Sequence, residues 1–229
     1  MLDKIETLNK GLIVSCQALE TEPLHSSHIM GRMAIAAVTS GAVGIRSNSP
    51  KDITEIKKQV EVPVIGIWKQ VYGDSPVFIT PTIKEMRAVA DTGCEIIACD
   101  ATLRERPNGE KLSDIIKVMR KEYSDTLLMA DCSTVKEAEY ACKLGFDFIG
   151  TTLHGYTEET EGMNIASDDF LVLKEFIKVS TKPVIAEGKI DTPDKAKRTL
   201  DLGCYAVVVG GAITRPQEIT QRFVDKIQE

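Results

Sequence analysis

Val62-Pro63-Val64-Ile65-Gly66-Ile67-Trp68-Lys69 is a short, nearly continuous apolar run that ends on a lysine. A strand that is buried on both faces of a parallel sheet has this pattern, whereas a free-standing helix needs a longer segment. A lysine at the end of a buried strand costs desolvation energy unless the protein uses its amine there. We therefore predict a parallel sheet with a functional amine at one strand end.

A second stretch, Pro183-Val184-Ile185-Ala186-Glu187-Gly188-Lys189, repeats the pattern late in the chain and leaves a carboxylate at the corresponding place. An amine and a carboxylate that face one pocket can together remove a proton from carbon and return it. We expect Lys69 and Glu187 to share such a pocket.

Apolar runs alternate with amphipathic segments along the whole chain, which is typical of a parallel sheet with helical crossovers. The predicted strands are Leu12–Cys16, Val43–Arg46, Val64–Trp68, Ile96–Cys99, Leu127–Ala130, Phe148–Thr151, Val184–Ala186 and Ala206–Val209. The predicted helices include Ile53–Val60, Ile83–Ala90, Leu112–Tyr123, Val135–Lys143, Phe170–Val179 and Pro193–Asp201, with N-caps at Ser49, Ser133-Thr134 and Asp191-Thr192.

Eight such units in 229 residues fit an α/β protein with one domain over residues 1–229. The expected fold is a closed (β/α)₈ TIM barrel with its active site at the C-terminal ends of the strands. Gly41, Gly93, Gly145 and Gly203 support it, because they follow alternate helices at intervals of 52, 52 and 58 residues. An open doubly wound sheet is the main alternative.

The composition argues against two classes of partner, nucleic acids and membranes. The net charge is −6, which argues against a broad nucleic-acid surface. No apolar run reaches the roughly 20 residues that a membrane helix needs, and the polar N-terminal stretch 1–6 does not resemble a signal peptide. We therefore expect no nucleic acid and no membrane among the partners.

The metal and redox expectations rest on cysteine and histidine. The six cysteines are scattered without a Cys-x-x-Cys motif, which favours reduced core thiols in the cytoplasm over a disulfide framework. The three histidines have no metal-ligand spacing, so we predict no metal, with carboxylate-bound Mg²⁺ left as an alternative.

The strand ends carry a set of polar residues that a barrel would bring to one mouth. The set is Gln17, Arg46, Lys69, Asp100, Asp131, Thr151-Thr152, Glu187 and Gly210-Gly211. Any single member could be a solvated loop residue or, like Asp131, a helix cap. Arg46 suits a bidentate grip on an oxyanion or carboxylate. His28 and His154 are weaker acid–base candidates, and Trp68 is expected in the core.

The loops after the last two strands predict a phosphate site. Gly188 and Lys189 lie in one of these loops and Gly210 and Gly211 in the other, and Arg215 follows where the last helix is expected to begin. TIM barrels bind phosphate at this place with backbone amides and a helix N-terminus.

The chain resembles the bacterial N-acetylmannosamine-6-phosphate 2-epimerase family over most of its length. The matching stretches are Gln17-Ala18-Leu19-Glu20, Gly44-Ile45-Arg46, Ile65-Gly66-Ile67-Trp68-Lys69, Thr80-Pro81-Thr82, Ala130-Asp131-Cys132-Ser133-Thr134, Gly150-Thr151-Thr152-Leu153-His154-Gly155-Tyr156-Thr157, Ala186-Glu187-Gly188 and Val209-Gly210-Gly211-Ala212-Ile213-Thr214-Arg215-Pro216.

This resemblance implies an isomerase without metal or cofactor that epimerises the phosphorylated amino sugar at C2, in sialic-acid catabolism, and that forms a homodimer. It implies Lys69 and Glu187 as the proton-handling pair, Asp131 and Arg46 as further catalytic residues, and Gln17 as a substrate contact. We add Thr152 as a second substrate contact.

Three rival functions stay open. A ribulose-phosphate-type epimerase usually has paired His and Asp metal ligands, which this chain lacks. A lyase could use Lys69 as a Schiff base. A non-catalytic phosphosugar-binding barrel would need only the phosphate loops, and would leave Lys69, Glu187 and Asp131 unexplained.

Overall fold

Eight parallel strands close into a barrel in the order β1 to β8, with β8 paired to β1, in a computed structural model that describes residues 5–229. This confirms the predicted (β/α)₈ TIM barrel and excludes the open sheet. Residues 1–4, which begin the predicted domain and the polar N-terminal stretch, lie outside the described residues.

The strands agree with the predicted ones to within two residues at each end. They are β1 Leu12–Cys16, β2 Gly44–Asn48, β3 Val64–Ile67, β4 Ile96–Asp100, β5 Leu127–Asp131, β6 Phe148–Gly150, β7 Val184–Ala186 and β8 Ala206–Val209. The largest difference is in β2, which continues two residues beyond Arg46. Arg46 therefore lies inside the strand and not at its end.

Helices connect the strands on the outside of the barrel. They are α1 Ser27–Thr39, α2 Pro50–Gln59, α3 Ile83–Ala90, α4 Leu112–Glu122, α5 Val135–Leu144, α6 Ser167–Val179, α7 Pro193–Asp201, α8 Gly211–Thr214 and α9 Pro216–Gln228, with 3₁₀ turns at Pro107–Gly109 and Glu158–Thr160. Ser49, Thr134 and Thr192 cap α2, α5 and α7 by accepting backbone N–H groups, as predicted. No helix within residues 5–229 combines the length and apolarity needed to span a bilayer.

Each of the four regularly spaced glycines lies just after a helix and has a left-handed backbone conformation. Their φ angles are 99° at Gly41, 71° at Gly93, 86° at Gly145 and 107° at Gly203. Residues with a Cβ rarely adopt these angles, so glycine is the residue that can end each helix in this way. The predicted rhythm of helix ends is confirmed.

The strands divide their side chains between two hydrophobic clusters. One fills the barrel and includes Ile65, Met129 and Ile185, while the other packs between the barrel and the helices. Because side chains alternate along a strand, residues two positions further along face the same way. This alternation carries Asp131 and Glu187 onto the inner side of the barrel, two residues after Met129 and Ile185.

Candidate active site

A cleft of about 440 Å³ opens at the C-terminal ends of the strands. Nine of the predicted site residues line it: Gln17, Lys69, Thr152, Glu187, Gly188, Lys189, Gly210, Gly211 and Arg215. The predicted amine and carboxylate thus face the same space, between the two loops predicted to hold phosphate.

Arg46 and Asp131 lie beneath this cleft and do not line it. Their side chains are 1% and 0% exposed, and the guanidinium grips the carboxylate with two bonds, Nη2 to Oδ2 at 2.6 Å and Nη1 to Oδ1 at 3.1 Å. The bidentate grip expected of Arg46 is therefore made on a carboxylate of the protein itself. Arg46 Nη1 also lies 3.0 Å from Glu187 Oε2, so the pair supports Glu187 from below.

Glu187 is held at both its backbone and its carboxylate. The hydroxyl of Thr151 donates to the Glu187 carbonyl at 2.8 Å and accepts from its N–H at 3.0 Å. The hydroxyl of Thr152 lies 3.2 Å from Glu187 Oε2. Burial raises the pKa of Glu187, the charge of Asp131 raises it further, and Arg46 opposes the rise.

Lys69 has its pKa lowered to about 8, mainly by burial and also by the positive charges of Arg46 and Arg215. At this pKa roughly a tenth of the amine is neutral at pH 7 and able to accept a proton. The Lys69 N–H donates to Asn48 Oδ1 at 2.8 Å, and the residue pairs with Ile79 in an isolated antiparallel bridge. The lysine backbone is therefore fixed on both sides.

Gln17 presents an unused acceptor. Its Nε2 donates to Ser15 Oγ at 2.8 Å, which orients the amide, and its Oε1 is buried with no hydrogen-bond partner within residues 5–229. Buried polar atoms normally have a partner, so this oxygen is suited to accept a hydrogen bond from a ligand.

Two glycines of the predicted phosphate loops bring backbone without a side chain to the cleft. Gly188 has a φ of 101°, which residues with a Cβ rarely adopt, and a Cβ on Gly211 would require the flexible side chain of Glu218 to move. Without side chains, their backbone can approach an anion closely.

The two cations of the predicted phosphate site already have protein partners. Arg215 Nη1 is 2.9 Å from Glu218 Oε1, and its Nε is 3.2 Å from a carboxylate oxygen of Glu22. Lys189 Nζ donates to the Met163 carbonyl at 2.6 Å and lies 5.3 Å from the centre of the Tyr156 ring. The charge of Arg215 is therefore neutralised by two carboxylates of the protein, whereas the ammonium of Lys189 contacts only the neutral groups named here.

The weaker candidates lie away from the cleft. Asp100 is buried against Arg104 at 2.6 Å, and His154 Nδ1 is 2.9 Å from the Ser133 carbonyl. Neither of them lines the cleft, and His28 is in the first turn of α1. Trp68 packs against the outer hydrophobic cluster, as predicted.

Twelve of the residues that line the cleft were not among the sequence candidates, and they include Ser15, Phe78, Tyr156 and Arg222. Ser15 could have been found, because it lies two residues before Gln17 on the same inward face of β1. Arg222 follows Arg215 by seven residues on the last helix, a spacing that returns to the same helix side. Phe78 and Tyr156 lie in irregular loops, where no periodicity indicates direction.

The structure also shows the state of the cysteines and the arrangement of the side chains that could bind a metal. The six cysteines are free and five of them are buried. Across residues 5–229 no group of three or more His, Cys, Asp or Glu side chains is arranged to hold a metal ion.

Comparison with known proteins gives a consistent family. Residues 30–229 match the family described as "Putative N-acetylmannosamine-6-phosphate epimerase". Two relatives carry the description "Putative N-acetylmannosamine-6-phosphate 2-epimerase". The one from Listeria monocytogenes strain EGD-e is 60% identical over 225 residues, covering 98% of this chain and 95% of its own. The one from Lactiplantibacillus plantarum is 61% identical over 223 residues, covering 97% and 98%.

Solved structures agree with this family. The N-acetylmannosamine-6-phosphate 2-epimerase from Clostridium perfringens superposes with a TM-score of 0.92 at 52% identity, covering 97% of this chain and 95% of that one. A thiamine phosphate pyrophosphorylase from Pyrococcus furiosus has a TM-score of 0.61 at 14% identity, which is a likeness of fold alone.

Proposed function

Because the chain belongs to the N-acetylmannosamine-6-phosphate epimerase family, we propose that it is an isomerase that interconverts N-acetylmannosamine 6-phosphate and N-acetylglucosamine 6-phosphate by inverting C2. The observation that carries this proposal is the pair Lys69 and Glu187. Both line one cleft, and burial lowers the pKa of the amine and raises the pKa of the carboxyl. Both shifts bring proton transfer into the neutral pH range.

The reaction begins from the open-chain sugar, because the C2 hydrogen is acidic only beside an aldehyde at C1. A base takes this proton, the electron pair of the C–H bond forms a C1–C2 double bond, and the aldehyde oxygen takes the negative charge of an enolate, because C2 carries the acetamido nitrogen and no oxygen. Return of a proton to the opposite face of C2 inverts the centre. Preorganised donors and cations are needed to stabilise the oxyanion.

Lys69 and Glu187 share the two proton transfers, one on each face of C2. Moving a proton from one to the other leaves the summed charge of the two side chains unchanged. Arg46 and Asp131 complete the catalytic set from beneath, since their ion pair fixes the carboxylate of Glu187.

The substrate is oriented by its phosphate and its polar groups. The backbone amides of Gly188, Gly210 and Gly211 and the cations of Lys189 and Arg215 hold the 6-phosphate. The free Oε1 of Gln17 and the hydroxyl of Thr152 are the proposed contacts to the sugar.

A homodimer is supported by the last helix. Within the described chain, α9 buries none of its residues, and Phe223 and Ile227 are 66% and 82% exposed. With Ile219 they form an apolar stripe at intervals of four residues, which a second copy of the chain would cover. Sedimentation of the wild type and of Phe223→Glu tests this: a wild-type monomer, or an unchanged dimer in the variant, contradicts it.

We place the enzyme in the cytoplasm, in the breakdown of sialic acid and related amino sugars. Six free thiols suit a reducing compartment.

Epimerisation in D₂O tests the reaction. With either sugar phosphate as substrate, NMR should show the other one formed with deuterium at C2. Product without label would contradict proton transfer at carbon. A lowered lysine pKa also suits Schiff-base chemistry, so borohydride should be added with substrate. A covalent adduct at Lys69 would favour the lyase, and no turnover at all would favour the binding protein.

A further inference from the structure

Thr151 and Thr152, two consecutive residues after β6, contact Glu187 at its two ends. Thr151 binds the backbone N–H and carbonyl of Glu187. The Thr152 hydroxyl instead lies between two carboxylates, 2.7 Å from Asp131 Oδ1 and 3.2 Å from Glu187 Oε2. Donation to Glu187 would lower the pKa of Glu187, whereas donation to Asp131 would not. One hydroxyl has one proton, so it can donate to only one of them.

The distances and charges direct that proton to Asp131. The contact with Asp131 is shorter by half an ångström, and Asp131 is completely buried with both its oxygens on the Arg46 guanidinium. An ionised, buried carboxylate is the stronger acceptor. The Thr152 oxygen therefore turns a lone pair toward Glu187, and a lone pair attracts a protonated carboxyl and repels an ionised one.

We propose that Thr152 is a proton-orienting residue that holds Glu187 in its acid form, accepting the Glu187 O–H while donating its own proton to Asp131. This rests on the proposed function and adds to it, because it gives Thr152 a task other than contact with the sugar. When Glu187 gives its proton to C2, the carboxylate keeps its 3.0 Å contact with Arg46 and loses the one with Thr152. The hydrogen bond to Thr152 thus favours the protonated form of Glu187 before the proton is transferred to C2.

Three charged groups also set the pKa of Glu187, namely Arg46 from β2, Lys69 after β3 and Asp131 from β5. The phenol of Tyr156, from the loop after β6, faces Glu187 as well, and burial and the charge of Glu187 raise the pKa of this phenol. Thr152→Val keeps the shape of the side chain and leaves these groups in place. The change therefore isolates the hydroxyl.

The sign of a pKa change tests the proposal. Glutamate labelled with ¹³C at the carboxyl, with the Glu187 signal assigned by Glu187→Gln, gives this pKa by NMR without any turnover. In Thr152→Val we expect the pKa of Glu187 to fall by roughly half to one unit, the size of one hydrogen bond. Thr152→Ser, which keeps the hydroxyl, should restore the wild-type value.

Thr151→Val is the matched control, because it removes a neighbouring hydroxyl that touches only the backbone of Glu187. It should lower the rate and leave the pKa of Glu187 unchanged. A rise in this pKa in Thr152→Val would mean that the hydroxyl donates to Glu187, and no change would mean that it acts on the sugar alone; either result overturns the proposal. If the valine variant does not fold, Thr152→Ala is titrated in its place.

The NMR titration also separates this proposal from the epimerase assignment. Absence of C2 exchange in the wild type would refute the reaction and leave the titration interpretable. Normal exchange with the wrong sign in the titration would refute only the role of Thr152.

Discussion

Arg46 and Asp131 meet through two parallel hydrogen bonds, 2.6 and 3.1 Å long, inside the barrel and out of reach of water. Removing Asp131 leaves the buried charge of Arg46 with only its single 3.0 Å contact to Glu187 Oε2. We therefore expect Asp131→Asn to lower the free energy of unfolding by about 3–5 kcal/mol, measured by urea denaturation. Activity should fall with it, because Glu187 loses its support.

Arg87 and Glu122 provide a control for this prediction, because they form the same bidentate pair on the surface, at 2.8 and 2.7 Å. Glu122→Gln should change the stability little, since water screens that pair. Equal losses in Asp131→Asn and Glu122→Gln would contradict the view that burial makes the inner pair important.

Lys69→Met should abolish most of the C2 exchange while the protein stays folded. The thioether side chain has nearly the same length and cannot carry a proton, so the rate should fall by roughly 10²–10⁴-fold. Inorganic phosphate should still bind, because the glycine loops are untouched. Unchanged exchange in D₂O would remove Lys69 from the mechanism.

The rate should have a bell-shaped dependence on pH. Turnover needs one proton on the pair of Lys69 and Glu187, so activity is lost below the pKa of Glu187, where both are protonated, and above that of Lys69, where neither is. The basic limb of kcat/KM should fall near pH 8, the pKa of Lys69, and the acid limb should lie above the usual range of a glutamate. A basic limb near pH 10 would show that the lysine is not perturbed.

Arg215→Met should act on both phosphate binding and the pKa of Lys69. Losing a phosphate contact should raise KM by roughly 10–100-fold, a loss of about 1.5–3 kcal/mol. Because the charge of Arg215 also helps to lower the pKa of Lys69, the basic limb should move to higher pH. Arg198→Met, on the outer surface and paired with Asp169, is the control for removing a surface charge. If KM changes but the basic limb of the pH profile does not move, Arg215 acts in phosphate binding and has no effect on the pKa of Lys69.

The sequence predicted the barrel, the amine and the carboxylate of the cleft because strands have a simple period. Once Ile65 and Ile185 are taken as inward-facing, counting by two along each strand leads to Lys69 and Glu187. The distance of a side chain from the mouth of the barrel was harder to predict. Arg46 was expected at the mouth, but β2 continues to Asn48, so the side chain lies one layer lower.

Contacts between distant segments could not be predicted from one sequence. Arg46 and Asp131 are separated by 85 residues, and nothing in the local pattern of either indicates the other as its partner. Tyr156 lies in a loop whose course depends on tertiary contacts such as that between Lys189 and Met163. Such loops have no repeat from which a direction can be counted.

The proposed acid and base are carried by the strand framework, Lys69 just after β3 and Glu187 just after β7, while most of the groups proposed to hold the phosphate come from the loops and the last two helices. Selectivity and chemistry are thus encoded in separable parts of the chain. Exchanging or lengthening the loops offers a route to epimerases for other phosphorylated sugars in which the proton-transfer machinery is inherited intact.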